Sequence, residues 1–282
     1  MKKIFALALS LIYIIGYSQN ENSLLYKITG NGIKSPSYIF GTIHLSCEVF
    51  FDEATQNALN ETSQLFLEID MDDPQLQAKM MSTLYMKDGV TMSSLISEEE
   101  FILLDDFLRS KMNISAKSID NYKPFFISSM LLPSMFDCKT QSYETELVHK
   151  FTNTNRPIFG LETIEEQMDI FDKIPYQIQI KELITSIKDN FESDKLELKL
   201  MQKSHKEKNL IEIQRLIKES KSSLMNDFDE LFLANRNKKW IPIIYSKSLE
   251  KPTFFGFGAA HLLGEDGVIN LLRKKGFKVE PL

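Results

Sequence analysis

Six short runs rich in β-branched and aromatic residues recur along this 282-residue chain, at 25–29, 38–43, 65–69, 157–161, 253–258 and 277–279. Each is a brief continuous apolar stretch, the pattern of a strand buried on both faces. Longer stretches of helical period separate several of them, which points to an α/β sheet and away from a β-sandwich. The class predicted is α/β: a central mixed, largely parallel sheet flanked by helices.

Several helix ends can be read from their chemistry. Thr163 and Glu166 have the spacing of a capping box, opening a helix whose apolar face is Met168, Ile170, Phe171 and Ile174. Asp52 or Glu53 starts another, running through Ala58 and Leu59. Asp266 is expected to cap the last helix and Gly276 to stop it in a left-handed turn. Between residues 74 and 155 the pattern is mostly helical, with Met- and Phe-rich segments such as FILLDDFL and PFFISSMLLPSMF. This reads as a helical insertion, a lid over one end of the sheet. Long helices follow over 175–249, and the dense Lys and Glu from 181 to 221 read as a solvated face.

Lys2 and Lys3 precede an apolar stretch, 4–16, followed by the small residue Ser18. That stretch is short of the roughly 20 residues a membrane span needs. Residues 1–18 therefore read as a secretory signal, leaving 19–282 as a single exported domain, periplasmic or extracellular. With 33 Lys and Arg against 39 Asp and Glu, the net charge of −6 leaves no basic footprint for nucleic acid. No later apolar run is long enough for an integral membrane segment. Cys47 and Cys138 are the only cysteines, and three readings stay open. They form a disulfide in an oxidising compartment, or Cys47 is a soft metal ligand close after His44, or both are buried thiols.

Four of the runs end on, or carry, a residue that can do chemistry. His44 follows YIFGTI, Glu68 lies inside LFLEID, Glu162 follows PIFGL and His261 follows TFFGFGAA. Open α/β sheets bind ligands outside the carboxyl ends of their strands, so parallel neighbours would bring these four together. His44, His261 and Glu68 are a standard donor set for a divalent cation such as zinc. Glu162, the second carboxylate, would then act as general base on water. Each also has a purely structural reading, as a histidine satisfied by the fold or as a Glu162 that favours a helix N-terminus. Glu68 is the hardest to dismiss, because an unpaired carboxylate in an apolar strand is costly to bury. Arg236, in ANRNKKW, is either a surface cation or the partner of Glu68, Glu162 or a substrate oxyanion. His149 and His205 stand in charged helical surroundings and receive no role. The glycines of GFGAAHLLG lack the Lys-Ser/Thr pair of a phosphate loop, and neither Gly-x-Ser-x-Gly nor His-Glu-x-x-His occurs.

Taken together and in this order, GTIH (41–44), LFLEID (65–70), GLETIEEQ (160–167), NRNKKW (235–240) and GFGAAHLLGEDGVINLLRKKGFKV (256–279) resemble the TraB/GumN family, which includes the animal Tiki metalloproteases. A more distant resemblance reaches the erythromycin-esterase-like and ChaN-like proteins. The resemblance implies an α/β domain with a polar cleft at its strand ends. For Tiki-like members it implies metal-dependent peptidase activity resting on two Gly-x-x-His motifs, here those of His44 and His261, supported by Glu68, Glu162 and Arg236. Manganese or cobalt is the metal it implies. Where many relatives carry Gly-x-Asp before a helix, this chain reads Ser142-Tyr143-Glu144, which makes Glu144 the candidate replacement acid.

The expectation is an exported metal-dependent hydrolase, peptidase-like, acting on a peptide or small-molecule amide or ester. His44, His261 and Glu68 would hold the divalent cation (Mn, Co or Zn), Glu162 would handle the water and Arg236 the oxyanion. Two rivals stand beside it. One is non-catalytic binding of a peptide, glycan or iron-bearing ligand in the same cleft; the other is a metal-free hydrolase using His and Glu.

Overall fold

Strand β1 (Leu25–Gly30) turns at Gly30 and Gly32, both at positive φ, and returns as β2 (Ser37–Thr42). This antiparallel hairpin is one side of a six-stranded sheet completed by β3 (Gln64–Leu67), β4 (Ile158–Gly160), β5 (Thr253–Gly258) and β6 (Phe277–Pro281). The computed structural model describes residues 22–282, apart from 221, 223, 225 and 226. The leader expected over 1–18 lies outside the described residues.

Across the sheet the strand order is β4-β3-β5-β2-β1-β6. The pairs β3/β4, β3/β5 and β2/β5 are parallel, whereas β1 runs antiparallel to both β2 and β6. The sheet is thus mixed and mostly parallel, with helices filling the crossovers, as the apolar runs predicted. Four strands, β4, β3, β5 and β2, end at the same edge. Register fixes this: Thr42 pairs with Gly258, and Leu67 with Gly160.

Central position explains the composition of β5. Phe254, Phe255 and Phe257 are all fully buried, pointing alternately to the two covered faces. Removing any one ring costs about 3–5 kcal/mol in a core of this kind. Trp240, also fully buried, packs its ring 5.3 Å from that of Phe257. It anchors the helix Asn235–Glu250 against the sheet.

The capping box of Thr163 and Glu166 is present, and Asp52 caps the helix Glu53–Glu61 through the Thr55 N–H. Gly276 has φ of 92°, the left-handed stop. Asp266 does not cap the last helix, Val268–Lys274; Gly267 occupies the N-cap and offers no side chain. A second apolar cluster, apart from the sheet, joins Met92, Leu104, Leu108, Ile127 and Leu131 to Ile180, Leu183 and Ile184. Among the described residues no helix is long and apolar enough to cross a membrane.

Candidate active site

The carboxyl edge of the four parallel strands carries His44, Glu68, Glu162 and His261. Strand β3 stops at Leu67, so Glu68 stands just past its end and not within it. The backbone stays in register there, since the Glu162 N–H donates to the Glu68 carbonyl at 2.9 Å. Gly41 explains how the two Gly-x-x-His segments meet. A Cβ at that position would lie 2.6 Å from Leu262 Cδ1 and 3.1 Å from the Ala259 Cα. Glycine lets the turn Ala259–His261 rest directly on β2.

Arg236 ties the carboxylates together. Its Nη2 donates to Glu68 Oε2 and Glu162 Oε1, each at 2.5 Å, and its Nε to Glu162 Oε1 at 3.0 Å. Nη1 donates to the Phe232 carbonyl at 3.0 Å and faces His261 Nε2 at 3.2 Å. The five guanidinium N–H groups are therefore all engaged within the protein, and none points to an oxyanion. A π-helical turn, Glu230–Ala234, precedes this arginine and sets the Phe232 carbonyl under it. The guanidinium also lies over the Trp240 ring, 4.8 Å from its centroid. Gln167 Nε2 bridges the two glutamates, 3.1 Å from Glu68 Oε2 and 3.1 Å from Glu162 Oε1.

His261 is buried and oriented by Asn237. The Asn237 amide nitrogen donates to the carbonyls of Asp266 and His261, so its oxygen faces His261 Nδ1, at 2.7 Å. Nδ1 accordingly carries the hydrogen and Nε2 offers a lone pair toward Arg236. Burial pushes this imidazole down to about 3, against the pull of Glu68 and with Arg236 and His44 reinforcing it. Burial likewise opposes the charge of Glu68. The fields of His261, Arg236 and His44, with the Gly258 N–H, outweigh it and hold the carboxyl down to about 2. Since His261 is uncharged at neutral pH, Arg236 and His44 are the cations that matter to Glu68.

His44 belongs to a different unit. Its Nδ1 lies 3.0 Å from Oε1 of Glu144, the first-turn acid of the helix Tyr143–Thr152. Glu144 also accepts from Thr42 Oγ1 at 2.6 Å and from Ser142 Oγ at 2.8 Å. The two side chains differ sharply in exposure, 70% for His44 and 9% for Glu144. A buried, fully bonded carboxylate thus holds an imidazole whose other face meets solvent. Desolvation opposes the charge on His44. The hydrogen bond and charge of Glu144, with the field of Glu68, prevail and raise it to about 9. Glu144 is correspondingly held down to about 2, burial being outweighed by His44 and the Thr42 and Ser142 hydroxyls.

His205 braces both halves of this pair. Buried on the helix Glu192–Lys206, it meets the Gly41 carbonyl through Nε2 at 2.9 Å, and its ring lies edge-on to Tyr143, centroids 5.0 Å apart. Cys47 and Cys138 are joined in a disulfide with Cα atoms 5.6 Å apart. A groove of about 630 Å³ runs along edge strand β4, lined by Phe159, Leu76, Asp70 and Ile243. It shares only Glu162 with the cluster and is not where His44 stands.

Sequence reading missed Asn237, Gln167, Thr42 and His205. The first three lay within the quoted segments, one beside Arg236, one after the Thr163 cap and one two residues before His44, so proximity to a candidate was the available signal. His205 bonds a backbone carbonyl, which no side-chain pattern announces.

An α/β sheet carrying histidines and carboxylates at the ends of its parallel strands defines a class of strand-end polar-site proteins. The chain belongs to the TraB/PrgY/gumN family, matched over residues 24–281. Among curated proteins it is 20% identical to Metalloprotease TIKI2 and 21% to Metalloprotease TIKI1, both from Danio rerio. These similarities cover 93% and 92% of this chain but 61% and 63% of the relatives. The chain therefore spans about three fifths of their length. No solved structure matches it.

Relatives named metalloproteases raise the question whether this donor set fits a metal. Among the described residues no three His, Cys, Asp or Glu side chains group closely enough to hold one ion. The Nε2 of His261 is 3.8 Å from Glu68 Oε1, but the Arg236 guanidinium lies nearer, at 3.2 Å. A fixed cation on that lone pair repels a second one. As placed, these residues do not fit a shared metal centre.

Proposed function

We propose that this chain is a hydrolase of a peptide, or of a similar amide or ester, with His44 as its proton-transfer group and Glu144 as the residue that orients it. The observation that carries the reading is the exposed His44 imidazole fixed at Nδ1 by a buried carboxylate. A carboxylate in that position sets the tautomer and steadies the imidazolium, which leaves Nε2 to exchange a proton with a reacting atom. With its pKa raised to about 9, His44 holds that proton at neutral pH and can pass it to a leaving group. Oε1 of Glu68, bonded to the Gly258 N–H at 2.9 Å, is the acceptor that would orient the attacking water. Arg236 and Glu162 hold this carboxylate in place. The named activity of the Tiki relatives supports the peptidase class. Export through residues 1–18 is part of the reading, and a disulfide suits such a compartment.

A second reading, metal-dependent hydrolysis, is favoured by one observation. Both His44 and His261 are bonded through Nδ1 to a side-chain oxygen, the outer arrangement of metal-binding histidines. It requires Arg236 to leave His261. Digestion of a mixed peptide pool, followed by mass spectrometry with and without chelator, separates the readings. Turnover that survives chelation supports the His44–Glu144 mechanism, and turnover lost with chelator and restored by Mn²⁺, Co²⁺ or Zn²⁺ supports the metal. A pool left intact in both arms, with a peptide retained by the protein, makes the cleft a binding site only.

A further inference from the structure

The loop that leaves His44 and the segment that enters the Glu144 helix are joined twice. Cys47 and Cys138 form the disulfide. Next to it, on the side of the His44–Glu144 pair, Ser46 and Gln141 exchange both backbone hydrogen bonds, at 2.9 and 2.7 Å. The pair these links flank brings together residues 100 positions apart in the chain. With 70% of its side chain exposed, His44 has little packing to hold its ring. Its geometry depends on how firmly the two backbone segments are fixed. On the sheet side they are fixed by Thr42 on Glu144 and by His205 on Gly41. On the outer side the two-residue bridge and the disulfide join them, and beyond these Tyr143 makes only a long hydrogen bond to the Phe50 backbone, at 3.4 Å, and an edge contact with the Phe51 ring. A bridge of two hydrogen bonds is weak alone, and a covalent link keeps its ends together by raising their effective concentration.

We propose that the Cys47–Cys138 disulfide is the positioning element that sets His44 on Glu144, so that the pair is aligned in the oxidised chain and lost in the reduced one. The proposal rests on the His44–Glu144 reading of the site. Cys47 is exposed, so a reductant reaches the bond. Dithiothreitol supplies two electrons and two protons: the S–S bond breaks, two thiols form, and the reductant closes into its own cyclic disulfide. No group that would touch substrate is altered. His205, Asn237 and Arg236 keep their anchors in the sheet and in the helix Asn235–Glu250.

The test is NMR of the histidine side chains in the full chain, compared among the oxidised protein, the protein reduced with dithiothreitol, and the Cys47→Ser/Cys138→Ser double variant. In the oxidised chain His44 shows an imidazole bonded at Nδ1. In the other two its signals move to those of an unbonded, exposed histidine, while His205 and His261 keep theirs. Where turnover is measurable, kcat falls about a hundredfold with the pair misplaced. A His44 signal unmoved by reduction and by the double substitution overturns the proposal. So does collapse of the His205 and His261 signals, since the disulfide would then be a staple of the whole fold. Oxidised protein with an already unbonded His44 overturns both the proposal and the pairing on which it rests. Because the readout needs no substrate, an inactive but correctly paired chain would count against hydrolysis alone.

Discussion

Nδ1 of His44 lies 3.0 Å from Oε1 of Glu144, joining a strand end to the first turn of a helix 100 residues away. The first expected outcome concerns this pair. Glu144→Gln keeps the shape and removes the charge that raises His44 to about 9. The imidazole should then titrate near its ordinary value of about 6.5 or below, because desolvation remains. NMR titration of His44 checks this, and kcat should fall by about a hundredfold or more.

Arg236 offers a test of stability. Arg236→Met leaves Glu68 and Glu162 buried without their cation, which should cost about 3–5 kcal/mol in urea unfolding. Arg236→Lys should recover only part of that, because an ammonium cannot reproduce the fork that reaches both carboxylates. Wild-type stability in the methionine variant would contradict the assigned pairing.

The pH dependence of stability follows from four groups. Glu68 and Glu144 fall to about 2 in the fold from an ordinary 4.5, so their contributions are present above 4.5 and are lost as pH drops toward 2. His261, pushed down to about 3 from 6.5, takes up its proton more readily when unfolded, so acidification below 6.5 also favours unfolding. His44 has the opposite sign: its contribution is complete below 6.5 and is lost as pH rises through about 9. Urea midpoints should therefore peak near neutral pH and decline on both sides. A midpoint still climbing between about pH 7 and 9 would count against the raised His44.

Glycine 41 tests the contact between the two motifs. Gly41→Ala puts a methyl 2.6 Å from Leu262 Cδ1 and 3.1 Å from the Ala259 Cα, so the turn bearing His261 must shift. A loss of about 1–3 kcal/mol is expected, read as a lower Tm. Gly258→Ala should be milder, since its nearest neighbour is Glu68 Oε1 at 3.4 Å.

Strands were legible because each is a run of contiguous apolar residues, and a shared parallel edge was the condition on which His44, Glu68, Glu162 and His261 would come together. Glu68 past the end of β3 was misplaced by one residue, because LFLEID stays apolar around it. The grouping within the edge was not legible. Whether His44 meets His261 or Glu144 depends on how the helix Tyr143–Thr152 packs, and nothing local to either residue encodes that distance. Glu144 came into view only through the family resemblance, as an acid without a partner. Arg236 was named with the right neighbours, yet its saturation by Glu68, Glu162, Phe232 and His261 is a three-dimensional fact that removes it from the oxyanion role.

The most direct test of the proposed chemistry is turnover by His44→Ala in the mixed-peptide assay, with circular dichroism to confirm the fold. Glu144 keeps its bonds from Thr42 and Ser142 when His44 is removed, so the variant should lose some stability yet still fold, and activity lost from folded protein reports on chemistry. The account predicts a fall of about a hundredfold or more against wild type, with an unchanged spectrum. Turnover equal to wild type in a folded His44→Ala protein would contradict it.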